Sequence, residues 1–262
     1  TASTISEARR YYAAIARPNV MIKIPGTPEG LPAVEQMISE GISINVTLLF
    51  SIASYVEAAW AYIRGLETRA AKGEDISNIS SVASFFLSRI DTNIDAKLDH
   101  LINQTSDPSK TEKISALKGK IAIANAKVAY QEYKKIIATN RWQQLAAKGA
   151  RVQRLLWAST GTKDPSYSDV MYVDGLVGAD TVNTLPPNTI EACADHCDPA
   201  SRIEAGVDEA YRLIASLNDP DININLDEVM DELLIDGIDK FVKPFDSLIK
   251  SLDGKVKALM PV

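Results

Sequence analysis

Cysteine is almost missing from this 262-residue chain. Only Cys193 and Cys197 occur, four residues apart with His196 between them. A zinc site needs about four ligands, and nothing near this pair completes one, so no metal site is read here. The spacing reads as ordinary helix carrying reduced thiols, in a cytoplasmic protein. Positive charge is also short, with 28 Lys and Arg against 34 Asp and Glu, a net charge of -6. That balance leaves no electrostatic footprint for nucleic acid or an anionic membrane. No apolar run approaches the roughly 20 residues that span a bilayer. A signal-peptide pattern is lacking too, since Thr1-Ala2-Ser3-Thr4 leads straight into Glu7-Ala8-Arg9-Arg10. The first residue is not Met, which reads as a processed, trimmed or partial product. No repeat, low-complexity stretch or composition shift divides the chain, so residues 1–262 read as a single domain.

What is present is an ordinary globular mixture, 46% hydrophobic and 24% charged. Short apolar runs alternate with long amphipathic stretches, which predicts βα units and a parallel sheet. The strands are read at 20–24, 42–49, 79–87, 154–158 and 181–184. Helices are read at 6–16, 31–40, 52–72, 168–177, 188–196, 201–216 and 226–252, the last broken near Gly237. Between the third and fourth strands lies an expanded helical connection, about 93–147, broken near Ser106-Asp107-Pro108-Ser109. A complete (β/α)8 barrel needs eight strands, and this count gives five. The helical inserts absorb the surplus length.

Each strand carries polar or reactive residues near its C-terminal end, where parallel α/β folds gather their active sites. By the period of two, Val20, Ile22 and Ile24 share one face of the first strand and pack under helices. Met21 and Lys23 share the other, so Lys23 is expected to point into the barrel. A lysine rarely sits there unless it is paired or functional. Desolvation would leave a neutral amine able to attack a carbonyl. A structural salt bridge or a phosphate-holding lysine reads the strand equally well. On the second strand Asn45 and Thr47 face the same interior, opposite Ile44, Val46 and Leu48. An amide and a hydroxyl there suit a hydroxyl-rich substrate, or form a buried polar pair satisfied by backbone. Ser84 lies on the third strand, and Arg89 just past its end is a phosphate clamp or a rim ion pair. Ser159, Gly161 and Lys163 follow the fourth strand and suit phosphate, although the Walker spacing is absent.

The segments Asn19-Val20-Met21-Ile22-Lys23-Ile24-Pro25-Gly26-Thr27 and Asn45-Val46-Thr47-Leu48-Leu49-Phe50-Ser51 resemble the long-chain transaldolases. So do Ser84 to Arg89, Leu156 to Lys163, Asp180 to Pro186 and Gly237 to Phe245, which together reach over nearly the whole chain. The resemblance implies a (β/α)8 TIM-barrel type α/β fold in which the lysine strand is the fourth, so that strands 4 to 8 are present. It implies transfer of a dihydroxyacetone unit between sugar phosphates through a lysine Schiff base, without metal or cofactor. Carried over, Lys23 forms the imine, Asn45 and Ser84 hold the three-carbon fragment, and Thr47 positions the catalytic water. Arg89 and Ser159 bind phosphate, with Lys163 substituting where other branches carry an arginine at the position of Gly161. Two acidic residues that the family draws from its earlier strands have no counterpart. Another class I aldolase is one alternative. A second is an incomplete barrel that binds sugar phosphate, or that needs a second copy or a complementing N-terminal segment.

Overall fold

The computed structural model describes residues 1–259. Five apolar runs form β1 (Ile22–Pro25), β2 (Ile44–Leu49), β3 (Ser81–Phe86), β4 (Arg154–Ala158) and β5 (Thr181–Asn183). They make one sheet in the order β1-β2-β3-β4-β5, every neighbouring pair parallel. A doubly wound sheet reverses its order at a switch point, whereas barrel winding never does. This order is of the barrel-winding kind, and among the described residues β1 and β5 are open edges. All six residues of β3 are buried, as expected for a central parallel strand covered on both faces.

Helices make the crossovers. α1 (Ala2–Ile15) precedes β1, and α2 (Gly30–Ser39) and α3 (Ile52–Ala71) follow β1 and β2. α3 begins where Ser51 accepts the Ser54 N–H at 3.0 Å, a side-chain cap. Its Gly65 lets α2 approach closely, because a Cβ there would stand 2.7 Å from the Glu35 carbonyl oxygen. Between β3 and β4 run α4 (Ser88–Gln104), α5 (Pro108–Ser115), α6 (Ile121–Ile137) and α7 (Asn140–Ala146). α8 (Met171–Leu176) precedes β5, and α9 (Pro187–His196), α10 (Val207–Ser216) and α11 (Leu226–Leu259) close the described chain.

Several predicted boundaries are corrected. The connection expected from 93 starts at Ser88, directly after β3. It breaks near 106–109 as expected, and again around Gly119, whose φ is 67°, and at Thr139, which caps α7. The helix predicted over 201–216 starts only at Val207, after Gly206 at φ 67°. α11 does not break near Gly237 and does not end at 252; it runs on through Pro244. The period of two predicts Leu48 on the same face as Ile44 and Val46. Its φ of 60° and the register shift between Val46 and Leu49 form a bulge that turns it toward the strand ends instead.

Candidate active site

The C-terminal ends of β1 and β2 set the reactive residues side by side, Lys23 opposite Asn45 and Pro25 opposite Thr47. Lys23, Pro25, Thr47 and Leu48 line a cavity of about 320 Å³ that Ile238, Phe241 and Val242 of α11 close from above. The Lys23 Nζ lies 5.7 Å from the centre of the Phe241 ring. One expectation is corrected here: Lys23 is exposed rather than sealed inside, because β1 is an edge strand. Desolvation in the cavity still holds its pKa below the ordinary lysine value. The ion-pair alternative finds no carboxylate partner for Lys23 among the described residues.

The neighbouring polar groups split into satisfied and free. Ser84 donates its hydroxyl to Asn45 Oδ1 at 2.7 Å, joining β3 to β2 behind the lysine. The Thr47 hydroxyl is buried with no hydrogen-bond partner, against the expectation that backbone satisfies it. A buried hydroxyl left unpaired costs stability, so its retention points to a ligand or water it serves.

Arg89 occupies the first turn of α4. Its guanidinium packs 5.4 Å from the Phe86 ring centre, and its buried Nη1 has no acceptor. A rim ion pair for Arg89 is likewise not found among the described residues. Beside it, the Ser88 and Ser159 hydroxyls lie 2.9 Å apart, and the Ser88 N–H donates to the Ser159 carbonyl at 3.0 Å. Ser159 adopts a left-handed φ of 57°. An unpaired guanidinium, and two hydroxyls at a helix N-terminus next to it in the chain, are groups suited to an anion. Gly237 joins the two halves of the site. A Cβ there would stand 3.0 Å from Leu48 Cδ2 and 3.7 Å from Arg89 Nη1.

Lys163 is not brought to this group. It lines a separate cavity of about 350 Å³ that Asp91, Asp95, Asp99 and Asp164 also line. Sequence reasoning also missed three features. Asn183, at the end of β5, has a buried and unpartnered Oδ1. The wall of Ile238, Phe241 and Val242 was hidden in an ordinary amphipathic repeat. Gly237 looked like a helix breaker and is a contact point.

The Transaldolase/Fructose-6-phosphate aldolase family matches residues 1–252. "Transaldolase 2" of Nostoc sp. (strain PCC 7120) is 70% identical over 263 residues, covering 100% of this chain and 69% of the relative. "Transaldolase" of Trichodesmium erythraeum is 66% identical over 262 residues, again 100% of this chain and 69% of the relative. "Transaldolase 2" of Streptomyces coelicolor is 44% identical over 261 residues, 100% and 68%.

Proposed function

The chain belongs to the transaldolase/fructose-6-phosphate aldolase family, and on that premise we propose that it transfers a dihydroxyacetone unit between sugar phosphates through Lys23. The observation that carries this reading is an unpaired lysine with a lowered pKa, facing a cavity beside Asn45 and Thr47. The neutral Lys23 amine adds to the ketose carbonyl of sedoheptulose 7-phosphate or fructose 6-phosphate, and water leaves as the imine forms. Protonated, the imine accepts the electron pair released when the C3–C4 bond of the ketose breaks, the C4 hydroxyl gives up its proton to a base, and the aldose product departs. The remaining enamine adds to the aldehyde of erythrose 4-phosphate or glyceraldehyde 3-phosphate. Water then releases the new ketose and regenerates the amine. The imine is itself the electron sink, so the reading calls for no cofactor.

Asn45 and Ser84 hold the three-carbon hydroxyls, and the free Thr47 hydroxyl orients the water. Arg89 and Ser159 receive the phosphate. Lys163 is left out of that group, because it lines a different cavity, one rich in carboxylates.

Around Lys23 the cavity has no carboxylate among its lining residues. We take the five strands as strands 4 to 8 of a (β/α)8-type barrel. A complementing segment along the β1 edge then supplies the acid–base carboxylate. The open edge and the extra third of the relatives' length support this.

The test is borohydride reduction in the presence of fructose 6-phosphate, with the adduct mapped by mass spectrometry. A stable adduct on Lys23, lost in Lys23→Met with the fold unchanged, is the expected result. No adduct at Lys23 in folded protein sinks the Schiff-base reading. An adduct without transfer to erythrose 4-phosphate, even with the part of the relatives' sequence outside the match supplied, sinks the transfer step.

A further inference from the structure

A pair of buried carboxylates outside the reacting centre has a geometry the chemistry above does not use. Asp91 and Asp95 stand one turn apart on α4, two and six residues after Arg89. Each divides its oxygens between the same two segments, 119–122 and 167–172. Asp91 Oδ1 accepts the Ala122 N–H at 2.8 Å and Oδ2 accepts the Tyr172 hydroxyl at 2.8 Å. Asp95 Oδ1 accepts the Gly119 N–H at 3.0 Å and Oδ2 accepts the Tyr167 hydroxyl at 2.7 Å. The start of α6 and the segment leading into α8 are thus held on one face of α4. Gly119 admits the second contact, since a Cβ there would come within 2.7 Å of the Tyr167 ring.

The consequence lies at the other end of the same segment. Residues 159–172 leave β4 at Ser159, which is bonded to Ser88 at the start of α4, and return to α4 through Tyr167 and Tyr172. The loop is therefore fastened at both ends to the helix that carries Arg89. Cutting the far fastening leaves Ser159, in its left-handed conformation, held by the Ser88 contacts, by β4 and by the neighbouring Thr160 hydroxyl, which donates to the Thr184 carbonyl at 2.8 Å.

We propose that Asp91 and Asp95, through Tyr172 and Tyr167, are positioning residues for the phosphate end of the site. They hold residues 159–172 on α4 so that Ser159 stays beside Ser88 and Arg89. This rests on the reading of Arg89 and Ser159 as phosphate ligands. The tyrosines serve recognition of phosphorylated ketoses and leave imine formation alone.

The experiment compares two ketoses in borohydride trapping at Lys23. Fructose 6-phosphate uses the phosphate end, and dihydroxyacetone does not. The variant is Tyr167→Phe with Tyr172→Phe, which keeps both rings and removes both hydroxyl links. The half-saturating fructose 6-phosphate concentration should rise about tenfold, as should the inorganic phosphate needed to compete with it. Half-saturating dihydroxyacetone should stay within twofold. Asp91→Asn retains an oxygen for Ala122 and an amide that can donate to Tyr172, and should give a smaller shift of the same kind. Equal shifts for both ketoses, or none for fructose 6-phosphate, overturn the proposal. Arg89→Gln separates the two levels. If it weakens fructose 6-phosphate while the tyrosine variant does not, positioning alone fails. If Arg89→Gln has no effect, the phosphate reading fails and takes the positioning role with it.

Discussion

Thr47 shows at the level of one residue how function and stability separate. Its buried hydroxyl has no partner in the folded chain. Replacing an unpaired buried hydroxyl with an isosteric methyl removes a desolvation cost of about 1 kcal/mol or more. Thr47→Val should therefore leave stability unchanged or raise it by about that amount in urea unfolding. Trapping at Lys23 should persist, while turnover falls at least tenfold because the attacking water is no longer held. A variant that loses stability and keeps turnover would make Thr47 a structural residue. Lys23 itself carries a pH prediction. Desolvation lowers its pKa, so the reactive neutral amine appears at lower pH than on a free lysine side chain. The Phe241 ring acts oppositely, favouring the ammonium by about 0.5–1 kcal/mol at an exposed site. Desolvation by burial is the cause of the lowered value. The trapping rate should climb with pH to a midpoint below the ordinary lysine value of about 10.4. Opening the cavity with Phe241→Ser should move that midpoint upward, as read from the pH profile. Asp91 adds a stability term of its own. Burial first, and Asp95 in the same direction, push its carboxyl up to about 6 against the Ala122 N–H and the Tyr172 hydroxyl. A carboxyl whose pKa is raised on folding contributes most below its unfolded value and less as pH climbs through the folded one. The lost contribution is roughly 2–3 kcal/mol between pH 4 and 7. Asp91→Asn cannot ionise, so its stability relative to the parent should improve by that amount over the same range in urea titrations.

At the level of elements, the strands were legible because each is a short apolar run bounded by turn residues. The period of two also placed Lys23, Asn45 and Thr47 on one side of the sheet. What could not be read was set by contacts between distant parts of the chain. The bulge at Leu48 has no local sequence mark, since a leucine at positive φ runs against its own preference. Gly237 and Pro244 are helix breakers by propensity. Gly237 is nonetheless kept in α11 by its fit against Leu48, Phe50 and Arg89. For Pro244 the structure offers no compensating contact. A Gly-x-Lys turn suits phosphate locally, while three of the four carboxylates that line the Lys163 cavity come from α4, far off in sequence. Gly237 yields a prediction at this scale. A valine side chain there would press on Leu48 and Arg89, and overpacking of this kind costs about 1–3 kcal/mol. Gly237→Val should lower urea stability by that much and weaken both trapping by fructose 6-phosphate and protection by inorganic phosphate. Unchanged trapping would show that α11 does not define the cavity.

For the molecule as a whole, the exposed surfaces set its behaviour. Beyond Gly237, no residue of α11 through Leu259 is buried. Ile238, Phe241, Val242, Phe245, Leu248, Ile249, Leu252, Val256 and Leu259 recur at helical spacing along one stripe, each 37% to 84% exposed. A contiguous stripe of this kind differs from scattered surface hydrophobes and marks an association surface. The open edge of β1 adds unpaired backbone groups of the kind that recruit another strand. Together they predict self-association, which a complementing segment covering them would suppress. Phe245→Lys with Leu252→Lys breaks the stripe at two points, both outside the residues lining the Lys23 cavity. Sedimentation over a range of concentrations should show the parent chain associating and the double variant remaining smaller. Borohydride trapping at Lys23 should be equal in the two, since Ile238, Phe241 and Val242 are untouched. Equal sedimentation would mean that the stripe is not where association occurs. A loss of trapping in the double variant would mean that the far half of α11 reaches the site through the partner it recruits.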